Sequence, residues 1–480
     1  VVDTENKFDD FRKQILLPHK MSQFGPAMCV ADFNNDNLDD IYFGASAGSK
    51  SNVYLQQESG TFEQSFNPVF EVYMDHEDVD ALAFDFDGDN DLDIYVVSGG
   101  NEFEPNDSRY QDRLYLNDGD GKFSDGTNKI PKNNTSGSVV KAMDFDNDGD
   151  LDVFVGTRHL PHNYPLSERS FVYENENGHF KDVTEQIAPD LIAAGMVTDV
   201  VWVDLNLDEN IDLVVVGEWM QPLLLLNNGE RFEKANNADF GLNNMHGWWY
   251  SIETNDLDND GDMDLILGNL GDNYKYQANL EKPFKVFAKD FNNSGNTDIV
   301  LSYAQNDNYY PVRGKQCSSE QLPILKEKFE DYESFASADV EAIYDELGLE
   351  DAIELTAETF SSYLLKNNNG VFEKQRLPSY AQISSINDIL IDDFNKNGQN
   401  EILIAGNLYT SEVETTRNDA SYGTIITTSE NLQNIEAKMP SETGLFIKGD
   451  CKQLAQITIS DKNYIIAAIN DGQVILHEFQ

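Results

Sequence analysis

An Asp-led stretch of nine residues recurs seven times along the chain, with oxygen-bearing side chains at positions 1, 3, 5 and 9 and an apolar, β-like run behind each copy. The copies begin at Asp32, Asp85, Asp144, Asp204, Asp256, Asp290 and Asp393. Repetition at this spacing points to one quasi-symmetric array rather than several unrelated domains. Alternate residues of each loop can turn inward and surround one cation with hard oxygens, a backbone carbonyl at position 7 completing the shell, which is calcium chemistry. Zinc would want Cys or His, and the loops hold neither.

The expected ligands are Asp32, Asn34, Asp36 and Asp40 in the first loop, Asp85, Asp87, Asp89 and Asp93 in the second, and Asp144, Asp146, Asp148 and Asp152 in the third. The fourth offers Asp204, Asn206, Asp208 and Asp212, and the fifth Asp256, Asp258, Asp260 and Asp264. The sixth has Asp290, Asn292 and Asp298 with Ser294 at position 5, and the seventh Asp393, Asn395, Asn397 and Glu401. Up to seven calcium ions are expected, held most strongly by the loops starting at Asp85, Asp144 and Asp256. A bare cluster of five Asp repels itself, which argues against mere solvated hairpin tips in the carboxylate-rich copies. For the sixth and seventh copies a plain turn and a metal loop stand as equal alternatives. Position 6 has to turn sharply and is Gly149, Gly261, Gly295 or Gly398, or Asn37 or Asn90, residues that tolerate positive φ. Glu209 breaks that pattern.

An EF-hand starts the same way but needs Glu at position 12 and flanking helices. Position 12 here is Val96, Val155 or Leu267, and segments such as LDIYVVSG and IDLVVVGEW read as strands. A hairpin motif alternates with the loops, in SNVYLQQESGTFEQ, DRLYLNDGDGKFSD, SFVYENENGHFKD, PLLLLNNGERFEK and SSYLLKNNNGVFEK. Each repeat is thus strand, calcium loop, strand, connection, strand, tight turn, strand, at intervals of 53, 59, 60 and 52 residues.

That unit is a propeller blade, and the predicted fold is an all-β propeller filling residues 1–480. Seven four-stranded blades, or eight with one stunted, satisfy the spacing, because loops five and six are only 34 residues apart and loops six and seven 103. KFDDFRKQI near the start resembles the last strand of a unit, and the C-terminal region supplies three strands, so the two ends are expected to close one blade. Residues 316–360 are predicted to form a helical insertion capping the ring, with Leu322, Leu325, Phe329 and Tyr332 at helical spacing and Gly348 as a stop.

Formal net charge is −53, and the seven loops hold 27 of the 86 acidic residues. So acidic a surface excludes nucleic acid and anionic lipid as partners, since both need a basic footprint. Three scattered cysteines, Cys29, Cys317 and Cys451, are too few for a disulfide framework and read as buried thiols. No stretch is long enough for a transmembrane helix, and the start, VVDTENKF, without Met or a signal-peptide pattern, reads as that of a mature or excised product. Weak calcium loops fill where calcium is near millimolar, outside the cytoplasm.

The loops with their following strand ends (IYFGAS, YVVSGG, VFVGT, VVVGEW, LILGN, LIAGN) resemble the FG-GAP or VCBS repeats of integrin-α-like propellers. The runs LLPHKMSQFGPAMCVADFN, VVVGEWMQP and GNLGDNYKYQANLEKPF are similar to the ASPIC/UnbV-associated, cartilage-acidic-protein-like group of Bacteroidetes-type bacteria. That resemblance implies a calcium-stabilised binding scaffold at the extracellular or outer-membrane surface, held there by a lipid anchor outside this chain. It also implies a protein partner in a SusC/SusD-type uptake complex and, as the group's ASPIC/UnbV module is absent here, that the chain is part of a longer protein.

Calcium loops gathered on one face leave the opposite face for a glycan, peptide or protein ligand, and long connections from several blades converge there. Arg109, Arg113, Arg158, His159, His162, Tyr164, Trp219, Tyr274, Tyr276 and Arg313 are the candidates for ion pairing and stacking. The alternative, that these arginines and aromatics are structural, stands beside that reading, and of Trp248 and Trp249 at most one can face a ligand. No nucleophile elbow, H-E-x-x-H helix or P-loop is present, so no catalytic residue is expected. A lectin, or a calcium-dependent polysaccharide lyase with His159 and Tyr164 as first candidates for the base, is the alternative, the lyase drawn from fold analogy alone.

Overall fold

The computed structural model describes residues 1–479, which form seven antiparallel sheets around one axis and an eighth inserted on top of them. The innermost strands are Met28–Ala31, Asp78–Phe84, Ser136–Met143, Met196–Val203, Gly247–Asn255, Asp388–Asp392 and Asp450–Ile459. Each touches the next and the last touches the first, so the ring closes at seven blades, here numbered I to VII in chain order. Within a blade the loop joins the innermost strand to the second, as between Asp78–Phe84 and Asp93–Ser98. Second strands such as Asp93–Ser98 and Asp152–His159 are buried at every position, because a neighbouring blade covers each face. That is why they read as unbroken apolar runs rather than alternating ones.

Loop six does not belong to the ring. It lies in a four-stranded sheet of Phe284–Lys289, Asp298–Gln305, Asn308–Pro311 and Ile353–Ala357, inserted between the second and third strands of blade V. One face of this sheet, with Phe284, Val286, Ala288, Ile299 and Leu301, packs on Trp219, Trp248 and Phe360 of the ring and on Leu16, Leu17 and Met21. The other, with Phe287, Phe291 and Val300, receives Leu322, Leu325, Phe329, Phe335, Ile343 and Tyr344 from the helical segment. Strand alternation thus gives one insert two cores. Truncating Phe284, the residue that joins sheet to ring, would cost about 3–5 kcal/mol.

Two expectations change here. The segment 316–360 is not one helical cap on the ring: it forms Lys315–Gln321, Ile324–Lys328, Tyr332–Ala336 and Val340–Tyr344, then a strand, and it covers the inserted sheet. Pro323 starts the second helix, where its missing N–H is harmless, and so ends the first. Residues 7–15 are not a strand either. Asp10–Arg12 is a 3-10 turn, fixed by the buried Asp10 carboxylate, which accepts from Met21 N (3.0 Å), Ser22 Oγ (2.7 Å) and Asn101 Nδ2 (2.9 Å). Residues 1–3 reach blade VII only as an isolated bridge, Val2 to Gln473, too short for a strand, so among the described residues that blade has three strands, Asp450–Ile459, Lys462–Asn470 and Ile475–Glu478.

Candidate metal centres

The seven loops share one backbone design. In six of them the position 1 carboxylate accepts the N–H groups of positions 5 and 6, as Asp32 does from Asp36 (3.2 Å) and Asn37 (2.7 Å) and Asp256 from Asp260 (3.0 Å) and Gly261 (3.1 Å), while in loop two Asp85 accepts from Gly88 at position 4 (2.8 Å) and Asn90 at position 6 (3.0 Å). Position 6 has positive φ in every copy, including Glu209 at 70°. Position 4 does too, which the composition of the motif hides, since Asn35, Gly88, Asn147, Leu207, Asn259, Asn293 and Lys396 occupy it. Two left-handed residues curl the chain so that the inward carboxylates meet.

Position 9 ties the loop to its blade. Asp93 accepts from Phe86 N (3.1 Å) and from Asn117 N (2.8 Å) at the end of the third strand, and Asp152, Asp212 and Asp264 repeat the pair with Asn175, Asn227 and Asn367. The side chains of these asparagines reach onward: Asn117 Nδ2 donates to Phe33 O (2.9 Å) and Asn175 Nδ2 to Phe86 O (2.9 Å), each in the preceding blade's loop. Sequence reasoning passed over them, although their recurrence in YLN, YEN, LLN and LKN was the available signal.

Burial drives the position 9 carboxyls upward, with neighbouring loop carboxylates adding to it and the backbone N–H groups opposing. Asp93, Asp152 and Asp264 are pushed up to about 7, and Asp40, Asp212 and Asp298 to about 6. A charge placed among them would relieve this.

Three loops bring acidic oxygens close enough for one ion. Asp85, Asp87 and Asp93, then Asp144, Asp146 and Asp152, then Asp256, Asp258 and Asp260 each converge within 4.8 Å. These are the loops expected to be strongest. Asp258 Oδ1 is buried without a hydrogen-bond partner among the described residues, an oxygen that a cation would satisfy. The donor set is all carboxylate, so the residues fit a hard cation such as calcium. Loop two also has Lys129 at 3.5 Å from Asp87 and loop five has Lys366 paired with Asp258, whereas no Lys or Arg pairs with loop three among the described residues.

The candidates for the opposite face have a different fate. Arg113 is buried on Asp78 (2.7 Å), Arg158 is buried on Glu218, and Arg313 is buried between Glu412 and Glu414. His159 and His162 are both buried and bonded to Asn101. Tyr164 accepts from Trp219 Nε1 (2.6 Å), and both pack with Tyr274 and Tyr276 in the core beneath the inserted sheet. Arg109 alone is partly exposed, and Asp107 clamps it through two bonds of 2.8 and 2.7 Å. Trp248 and Trp249 are both fully buried. The surface ligand set is therefore corrected to a structural one, because the insert and residues 8–24 cover the middle of that face. His159 and Tyr164, both buried, cannot reach a polysaccharide.

Sequence reasoning also missed Asp80, Asp199 and Asp388 on the innermost strands of blades II, IV and VI. Each accepts from the next blade: Val140 N at 2.8 Å, Ile252 N at 2.9 Å and Leu454 N at 2.6 Å.

A closed ring of antiparallel blades with acidic hairpin loops between first and second strands defines a β-propeller. The FG-GAP-like repeat family matches residues 32–96, 85–155 and 204–267, covering the first five loops, so the chain carries FG-GAP-like repeats. No curated protein matches it. Among solved structures it is similar to YCF48 bound to D1 peptide, at 9% identity over 100% of this chain and 98% of that one, with a TM-score of 0.41. It is also similar to the Dos1 propeller (10% identity, 96% and 94% covered, TM-score 0.38) and to the exotype rhamnogalacturonan lyase YesX (11% identity, 95% and 72% covered, TM-score 0.40). No helix among the described residues is long and apolar enough to cross a membrane.

Proposed function

We propose that the protein is a calcium-stabilised binding scaffold of the extracellular or outer-membrane surface, serving as an accessory subunit that recruits a protein partner to a SusC/SusD-type uptake complex. The cartilage-acidic-protein-like resemblance motivates the complex, and the convergence of three acidic triads within 4.8 Å supports the calcium. For recruitment, the supporting observation is where apolar side chains stay exposed. Phe66, Val72, Met74, Leu280, Val413 and Phe446 all lie in connections on the face opposite the ring's metal loops, outside the covered centre. Side chains of this kind on one face suit a protein partner better than a sugar.

Purification from native membranes in calcium, followed by identification of what accompanies the protein, tests the reading. An outer-membrane transporter should co-purify, and Val413→Asp with Phe446→Asp should release it while leaving the melting temperature in place. Isolation of the wild-type protein free of any transporter would defeat the accessory role.

A further inference from the structure

The innermost strands enclose a cavity of about 290 Å³. Its far end is shut by Phe24, Arg158, Tyr250 and Leu408, with the Arg158 guanidinium carbon 3.8 Å above the Phe24 ring. Toward the loops the same strands open. Val79, Val139 and Val197 are buried, while Lys141, Met143, Glu253 and Asn255 are partly exposed. The cavity is a blind well whose mouth lies on the acidic face.

Its wall is charged. Asp80, Asp199, Glu253 and Asp388 stand around Lys141, which makes no ion pair among the described residues. The other lysine of the wall, Lys452, is committed to Asp450 at 3.0 Å. Four carboxylates thus face one uncommitted ammonium. At the closed end Arg158, only 6% exposed, gives one amino group to Glu218 but leaves its Nε–H without an acceptor among the described residues, where the buried Tyr250 hydroxyl has no partner either. Unsatisfied buried donors of this kind are costly, so they call for an acceptor in the well.

A directly chelated metal does not match, because no acidic triad here converges within 4.8 Å as those of the loops do. Carboxylates set apart around a cavity of this size, with donors at one end, match a small molecule carrying separated charges. We propose that the central well binds a basic α-amino acid, its carboxylate held by Arg158 Nε and the Tyr250 hydroxyl, and its ammonium groups by Asp80, Asp199, Glu253 and Asp388. The acidic mouth raises the local concentration of such cations.

Calorimetric titration of the whole chain in saturating calcium tests this with L-lysine, L-norleucine and cadaverine, which remove in turn the side-chain charge and the carboxylate. L-Lysine should bind saturably and the other two at least about tenfold more weakly, the loss of one charged hydrogen-bonding end. Tyr250→Phe, which deletes an unpartnered hydroxyl, should weaken L-lysine with no change in melting temperature, and Leu82→Trp, on the well's wall, should block it with every charge intact. Absence of saturable L-lysine binding, equal binding of cadaverine, or unaltered binding in the folded Leu82→Trp variant would overturn the proposal.

Discussion

The position 9 carboxyls set how stability follows pH. A carboxyl whose folded pKa stands above its unfolded value of about 3.9 contributes stability below that value and loses it as pH rises through the folded pKa. With Asp93, Asp152 and Asp264 at about 7 in the folded ring, the loss extends across the acid range to neutrality. In chelator the melting temperature should therefore fall as pH is raised from about 4 to about 7. Calcium replaces the proton as the neutralising charge, so the fall should vanish when calcium is saturating. A melting temperature that climbs over this range in chelator would contradict the assignment. Backbone conformation makes a second residue-scale prediction. Glu209 sits at φ 70° where four other loops have Gly, so Glu209→Gly should stabilise the chain by about 1 kcal/mol in urea unfolding.

Blade VII is where the two ends of the described chain meet. Asp3 N donates to Gly472 O (2.8 Å) and Val474 N to Val1 O (3.2 Å), which lays residues 1–3 antiparallel beside its outer strand. Phe479 N turns inward to Asn463 O, so by alternation the Val474 N–H faces outward, toward residues 1–3. Removing residues 1–3 should therefore speed hydrogen exchange at Val474 and lower the melting temperature. Unchanged exchange at Val474 would show that these residues do not brace the blade. The ring's blades were legible in the sequence because each repeats an Asp loop and an Asn-bearing hairpin. The inserted sheet was not, since its loop at Asp290 has the same local pattern and only its partners distinguish it. KFDDFRKQI misled for a related reason: Asp10 is spent inside a turn on Met21 and Ser22, a tertiary bond that no periodicity announces. Likewise Arg113 and Arg313 look like ligand residues until Asp78 and Glu412 are seen to hold them.

Over the whole molecule, a net charge of −53 is compatible with a closed ring only where repulsion is locally cancelled. Cations in the ring's own loops would cancel it at the joints between first and second strands, whose carboxylates also anchor the third strands. Loop six, by contrast, hangs from a sheet outside the ring. Chelation should therefore lower the melting temperature of the wild type, and Asp144→Ala should remove more of that response than Asp290→Ala. Loop three is the sharpest case, because among the described residues no lysine pairs with its carboxylates and competes for the cation. Asp144→Ala also breaks bonds to Asp148 N (3.1 Å) and Gly149 N (3.2 Å), worth about 1 kcal/mol each, and that part persists in chelator. The calcium contribution is the difference between melting temperatures with and without chelator for each variant. If that difference shrinks equally for Asp144→Ala and Asp290→Ala, ring and insert depend alike on the metal, and cation-held joints are not what closes the propeller.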